Sequence, residues 1–168
     1  MMKKNVCLVL LLALAGFSLS AQEAPRAVLS DTWMENFFNN WEAINSGMSD
    51  LNEESDDMTA ALMRFAAALA GCLEDSLEDT PPDFTEYRAS FLALRNTRLP
   101  PESEKIFTRY SMEPDVFWVC MMGFMLLSLE RDYGPRGNMA ELRRIIHPDD
   151  FTVLEKNFDR LRVIFGNF

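Results

Sequence analysis

One histidine, His147, stands in 168 residues, and that scarcity removes most metal and nucleophile chemistry at once. Zinc sites of the usual His/Cys kind need three or four ligands, and this chain offers one histidine and three cysteines in separate segments. No Glu-x-x-His pair for a ferritin-like di-iron site is present, and no Cys-x-x-Cys-His for haem or Cys-x-x-Cys for redox exchange. A Gly-rich phosphate loop and a Gly-x-Ser-x-Gly elbow are missing as well. Alternating apolar and polar runs bounded by hairpin turns are lacking, so strands are not expected. Basic residues are few: 16 Lys and Arg face 26 Asp and Glu, a net charge of −10. Such a surface repels phosphate backbones and anionic lipid heads, so neither nucleic acid nor electrostatic membrane docking is expected.

What the chain does have begins at its start. Lys3 and Lys4 precede the unbroken apolar run Val6 to Phe17, and Ser18-Leu19-Ser20-Ala21 follows with small residues. This is the order of an export signal, and the run is too short to span a bilayer, which takes roughly 20 apolar residues. Cleavage is expected after Ala21, leaving 147 of the 168 residues, and the location is periplasmic or secreted, in a bacterial cell. Cys7 lies near the beginning of the apolar run rather than its end, so it reads as a small hydrophobe and not as a lipidation site. Without Lys3 and Lys4 the charge falls from −10 to −12.

The remainder reads as an all-α, single-domain helical bundle over 30–168, behind a flexible lead at 22–29, with no membrane span in the mature chain. Ser30-Asp31 caps a helix to about Ser46, with Trp33, Phe37, Trp41 and Ile44 on one face and Gly47 as its stop. Asp50, Glu53, Glu54, Asp56 and Asp57 form an acidic approach to the next helix. They do not match a calcium loop, because Ser55 and Ala61 stand where its glycine and glutamate belong. The helix 58–77 has the seam Met58, Leu62, Phe65, Leu69 and Cys72, with alanines over most of the rest. Further helices are expected at 82–97, 101–111, 115–132, 138–146 and 149–165. The last has Phe151, Leu154, Phe158, Leu161 and Phe165 on one face. Val116 to Leu129 carries no charge, so 115–132 reads as fully buried, with Gly123 at a close helix crossing. The apolar pair 58–77 and 115–132 is expected at the centre of the bundle, wrapped by amphipathic helices.

Candidate sites are few, with no catalytic residues, no metal ligands and no cofactor assigned. Met121, Met122 and Met125 cluster with Trp118, and Met58 lies in the other apolar helix; methionine lines adaptable apolar pockets as well as filling cores. Arg64, alone among alanines, snorkels, pairs with a carboxylate or binds a ligand. Met58, Arg64, Trp118, Met121, Met122 and Met125 are thus the candidate ligand-binding set. Cys72 and Cys120 fall at matching levels if their two helices run antiparallel and adjacent, which makes a disulfide possible in an oxidising compartment. His147, Asp149 and Asp150 are the one cluster an acid–base or metal reading could use. The simpler reading has Asp149 capping the last helix and Asp150 in its first turn. The carboxylate pairs Glu74/Glu78 and Asp75/Asp79 share a helix edge.

The expectation is a non-catalytic exported protein that binds a partner protein or an apolar small molecule, in an oligomeric state the sequence does not reveal. Its rival is a carboxylate-dependent metal-binding protein or hydrolase centred on His147 and the nearby aspartates. A structural envelope component is the third possibility.

Overall fold

The computed structural model describes residues 26–49, 56–74, 84–134 and 138–166. The expected leader, residues 22–25, the acidic run 50–55 and the carboxylates at 75–79 lie outside the described residues. Seven helices, and no strand, make up the described chain. They are α1 (Asp31–Ser49), α2 (Asp56–Glu74), α3 (Phe84–Asn96), α4 (Pro101–Arg109), α5 (Pro114–Tyr133), α6 (Met139–Leu142) and α7 (Pro148–Phe165). A single 3-10 turn, Arg143–Ile145, follows α6.

Helix starts follow local chemistry. The Ser30 hydroxyl accepts the Trp33 amide at 3.1 Å and caps α1. Prolines open α4, α5 and α7, where a missing N–H costs nothing and a fixed φ suits the first turn. Gly47 does not stop α1. The helix runs on to Ser49, and a Cβ at Gly47 would lie 3.1 Å from Ile106 Cδ1, so this glycine serves the approach of α4.

α5 is the core helix. It packs on α3, α6 and α7, and Val119, Cys120, Phe124, Leu126 and Leu127 are buried on several sides of it. The uncharged run dictates this, since no face of it can be left in water cheaply. At Gly123 a Cβ would come within 2.3 Å of Leu154 Cδ1 and 3.2 Å of Ile146 Cδ1, so the close crossing is with α7.

α2 is not a second core helix. It packs chiefly on α3 through Met58, Phe65, Leu69 and Cys72, with Leu62 half-buried. Its other side is exposed: Ala60, Ala66, Ala67 and Ala70 face out, Arg64 is exposed, and Met63 is 68% exposed. Alanine buries so little area that an alanine-covered helix face loses little by staying in water.

α3 stands between α2 and α5 in this packing order, so Cys72 and Cys120 are carried by helices that are not close partners. The two cysteines are separate buried thiols, and no disulfide joins them. Burial pushes the Cys120 thiol well above its ordinary range.

α1 and α7 run parallel, side by side. Lys156 Nζ donates to Asp31 Oδ2 at 2.7 Å, and one turn further along Arg160 holds Glu35 through both carboxylate oxygens. The Arg160 guanidinium also covers the Phe38 ring at 3.8 Å. An acidic edge of α1 therefore meets a basic edge of α7 in fixed register.

Candidate functional site

Two groups of residues rise above ordinary core packing. The first is an apolar face where the C-terminal halves of α1 and α7 meet α5. Spacing by four along α5 puts Phe117, Met121 and Met125 in one row, and all three are half-buried. Trp41 from α1 and Ile164 and Phe165 from α7 are half-buried too. Ring contacts join the walls: Trp41 meets Phe165 edge-on at 5.5 Å between centroids, and Phe37 lies 6.2 Å from Phe117 and 5.9 Å from Phe165. Phe124 sits 5.5 Å from Phe165. Phe37 and Phe124 are fully buried and form the floor under Trp41 and Phe165.

Of the residues named from sequence, Met121 and Met125 belong to this face. Met122 and Trp118 are buried, although Trp118 shares a side of α5 with Met121 and Met125 by its spacing of three and seven. Met58 and Arg64 belong to α2, Met58 buried and Arg64 exposed. Trp41, Ile164 and Phe165 complete the face and were not in the candidate set. Their signal was present in part: Trp41 lies on the apolar stripe of α1, and Phe165 ends that of α7.

The second group is polar and gathers at the other end of α7. His147 is the N-cap of α7, not Asp149: its Nδ1 accepts the Asp149 amide at 3.1 Å. Asp149 is exposed. Asp150 turns inward and is only 1% exposed, and its Oδ1 accepts the amides of Val28 at 2.9 Å and Leu29 at 2.7 Å. The end of the expected flexible lead is therefore fastened, with Leu29 buried. Two short bonds from backbone amides outweigh the freedom of an exposed strap, because an unmet buried carboxylate would be far costlier.

Burial pushes the Asp150 carboxyl above its ordinary range, opposed by the Leu29 and Val28 amides and by the nearby charges of His147 and Arg95. Arg95 in turn donates to Asp115 Oδ2 at 3.3 Å, while its Nε and the indole N–H of Trp118 are buried with no hydrogen-bond partner among the described residues. An elevated carboxyl is a usual mark of an acid catalyst. Here the carboxylate is enclosed, and the oxygen described is already committed to two amides, so the arrangement performs a fastening role. Among the described residues no three His, Cys, Asp or Glu side chains converge as a metal site.

No protein-family model matches the chain, and neither a curated protein nor a solved structure shows significant similarity to it. Any functional reading therefore rests on the two groups themselves.

Proposed function

We propose that the protein, once exported, acts without catalysis by binding an apolar small molecule, or an apolar side chain of a partner protein, on the face formed by α1, α5 and α7. One observation carries this reading: Trp41, Phe117, Met121, Met125, Ile164 and Phe165 are only half-buried where α1, α5 and α7 meet, in a chain whose net charge is −10. Contiguous apolar surface on an otherwise charged protein marks an interaction site more often than chance exposure does. Aromatic walls supply area at small entropic cost, and unbranched methionines adapt to the shape of what they meet. The acidic remainder of the surface disfavours anionic occupants and leaves neutral or cationic apolar ones.

A neutral naphthylamine fluorophore titrated into the folded protein tests this. One equivalent should bind with enhanced emission. Met125→Glu should weaken binding about tenfold or more, since 1.4 kcal/mol is a factor of ten. Met63→Glu, on the exposed side of α2, should leave it unchanged. Equal effects of the two substitutions, or no binding by the native protein, would remove the reading.

A further inference from the structure

Four helices bring an end to one pole of the bundle. The Asp150 carboxylate, at the start of α7, accepts the Val28 and Leu29 amides just before α1. Trp33, in the first turn of α1, donates its indole N–H to Glu113 Oε2 at the N-cap of α5, at 3.2 Å. Arg95, in the last turn of α3, donates to Asp115 Oδ2 in the first turn of α5. Trp33 thus has its acceptor. Trp118, one turn beyond Asp115 on the same side of α5, does not: it is 7% exposed, and its indole N–H has no hydrogen-bond partner among the described residues. Arg95 Nε is in the same condition. Nearly all buried donors in folded proteins are met, so two unmet ones at one pole point to an acceptor that comes from outside the chain. That acceptor need not be charged. Asp115 already answers the Arg95 guanidinium, and Asp150 lies near enough to feel it. What the pole lacks is an oxygen, and an anion would set a further negative charge beside Asp115 and Asp150.

We propose that Arg95 Nε and the Trp118 indole N–H receive the carbonyl oxygen of a neutral amphipathic ligand, an amide or an ester, whose apolar chain lies along Met121 and Met125. Trp118 shares a side of α5 with these two methionines, which are half-buried. The rise from Trp118 to Met125 is about 10 Å at 1.5 Å per residue, enough for a medium-length alkyl chain. The head enters beside Asp115, whose side chain is 47% exposed against 19% for Arg95. This rests on the reading of the α1, α5 and α7 face as a binding site. It adds the chemical class of the ligand and the end at which its polar group sits.

Indole nitrogen–proton correlation spectra read the head directly, because each of the three tryptophans gives one N–H resonance and Trp118→Phe identifies its own. Octanamide should shift the Trp118 resonance downfield in a saturable way. It should leave that of Trp33, which already has Glu113, in place. Trp118→Phe keeps an apolar ring and should weaken octanamide about three- to tenfold, the range one net hydrogen bond supplies. Arg95→Lys, which keeps the charge beside Asp115 and removes Nε, should do the same should the phenylalanine variant fail to fold. Octanoate at neutral pH should bind about tenfold or more weakly than the amide. A Trp118 resonance unmoved by millimolar octanamide means that water alone meets the two donors, and overturns the proposal. Octanoate binding as tightly as octanamide overturns it too, by making the head an anion. In either case fluorophore binding that Met125→Glu weakens leaves the apolar face standing and removes only its polar head. A saturable Trp118 shift in a protein that never binds the fluorophore overturns the reading of the face and leaves the carbonyl site in place.

Discussion

At the scale of single residues, Asp150 is the side chain whose role differs most from its place in the sequence. A carboxylate in the first turn of a helix suits the dipole from an exposed position. Asp150 is buried instead, and Asp149 beside it takes the exposed place. Asp150→Ala leaves two amides without their acceptor and should cost roughly 2–6 kcal/mol, at about 1–3 for each unmet donor. Asp149→Ala should stay within about 0.5 kcal/mol. Urea melts compare the two. The pH dependence follows from the direction of the shift. Burial raises the folded carboxyl above its ordinary value of 3.8, so the folded state holds the proton more tightly than the unfolded one. Asp150 therefore makes stability fall as pH rises from the ordinary value through the raised one, and its part in stability is greatest below both. Asp150→Asn keeps an acceptor oxygen and should remove that fall, which urea melts taken across the acid range will show. Glu35 runs the opposite way: its hydrogen bond to Arg160 holds its carboxyl below the ordinary range, so that contact weakens as acid protonates it.

At the scale of elements, the spacing of apolar residues told the seven helices apart but not which of them would be enclosed. α5 and α2 look alike as strings, both apolar nearly all round. α5 is filled with Trp, Phe, Met and Leu, and each of these gains by burial, whereas α2 turns its alanines to water. The crossing at Gly123 gives a sharp test. Gly123→Ala places a Cβ against Leu154, which must shift within a packed interface, and should destabilise by about 1–3 kcal/mol even though alanine is the better helix former. A gain in stability in thermal melts would show the α5–α7 crossing to be looser than described. The separation of α2 from α5 by α3 yields another. Protein unfolded without reductant should take up alkylating reagent at both Cys72 and Cys120, read as two added groups by mass. Native protein should resist labelling at Cys120, whose thiol is enclosed and held protonated.

At the scale of the whole molecule, export remains a proposal with a direct check: protein from its own host should begin at Gln22, without an acyl chain, by intact mass. The sequence by itself determined the all-α class, the approximate helix limits and the inward seams of α1, α2 and α7, because periodicity of 3.6 and the placement of proline are local properties. Tertiary structure alone decided the rest. It decided that α1 lies parallel to α7, that the strap before α1 ends on Asp150, and that Cys72 and Cys120 stay apart. It decided as well that Met121 and Met125 stay half-buried while Met122 and Trp118 are enclosed. These are matters of which helix stands next to which. A residue's spacing fixes the side of the helix it occupies, and only the neighbouring helices fix whether that side meets core, charge or water.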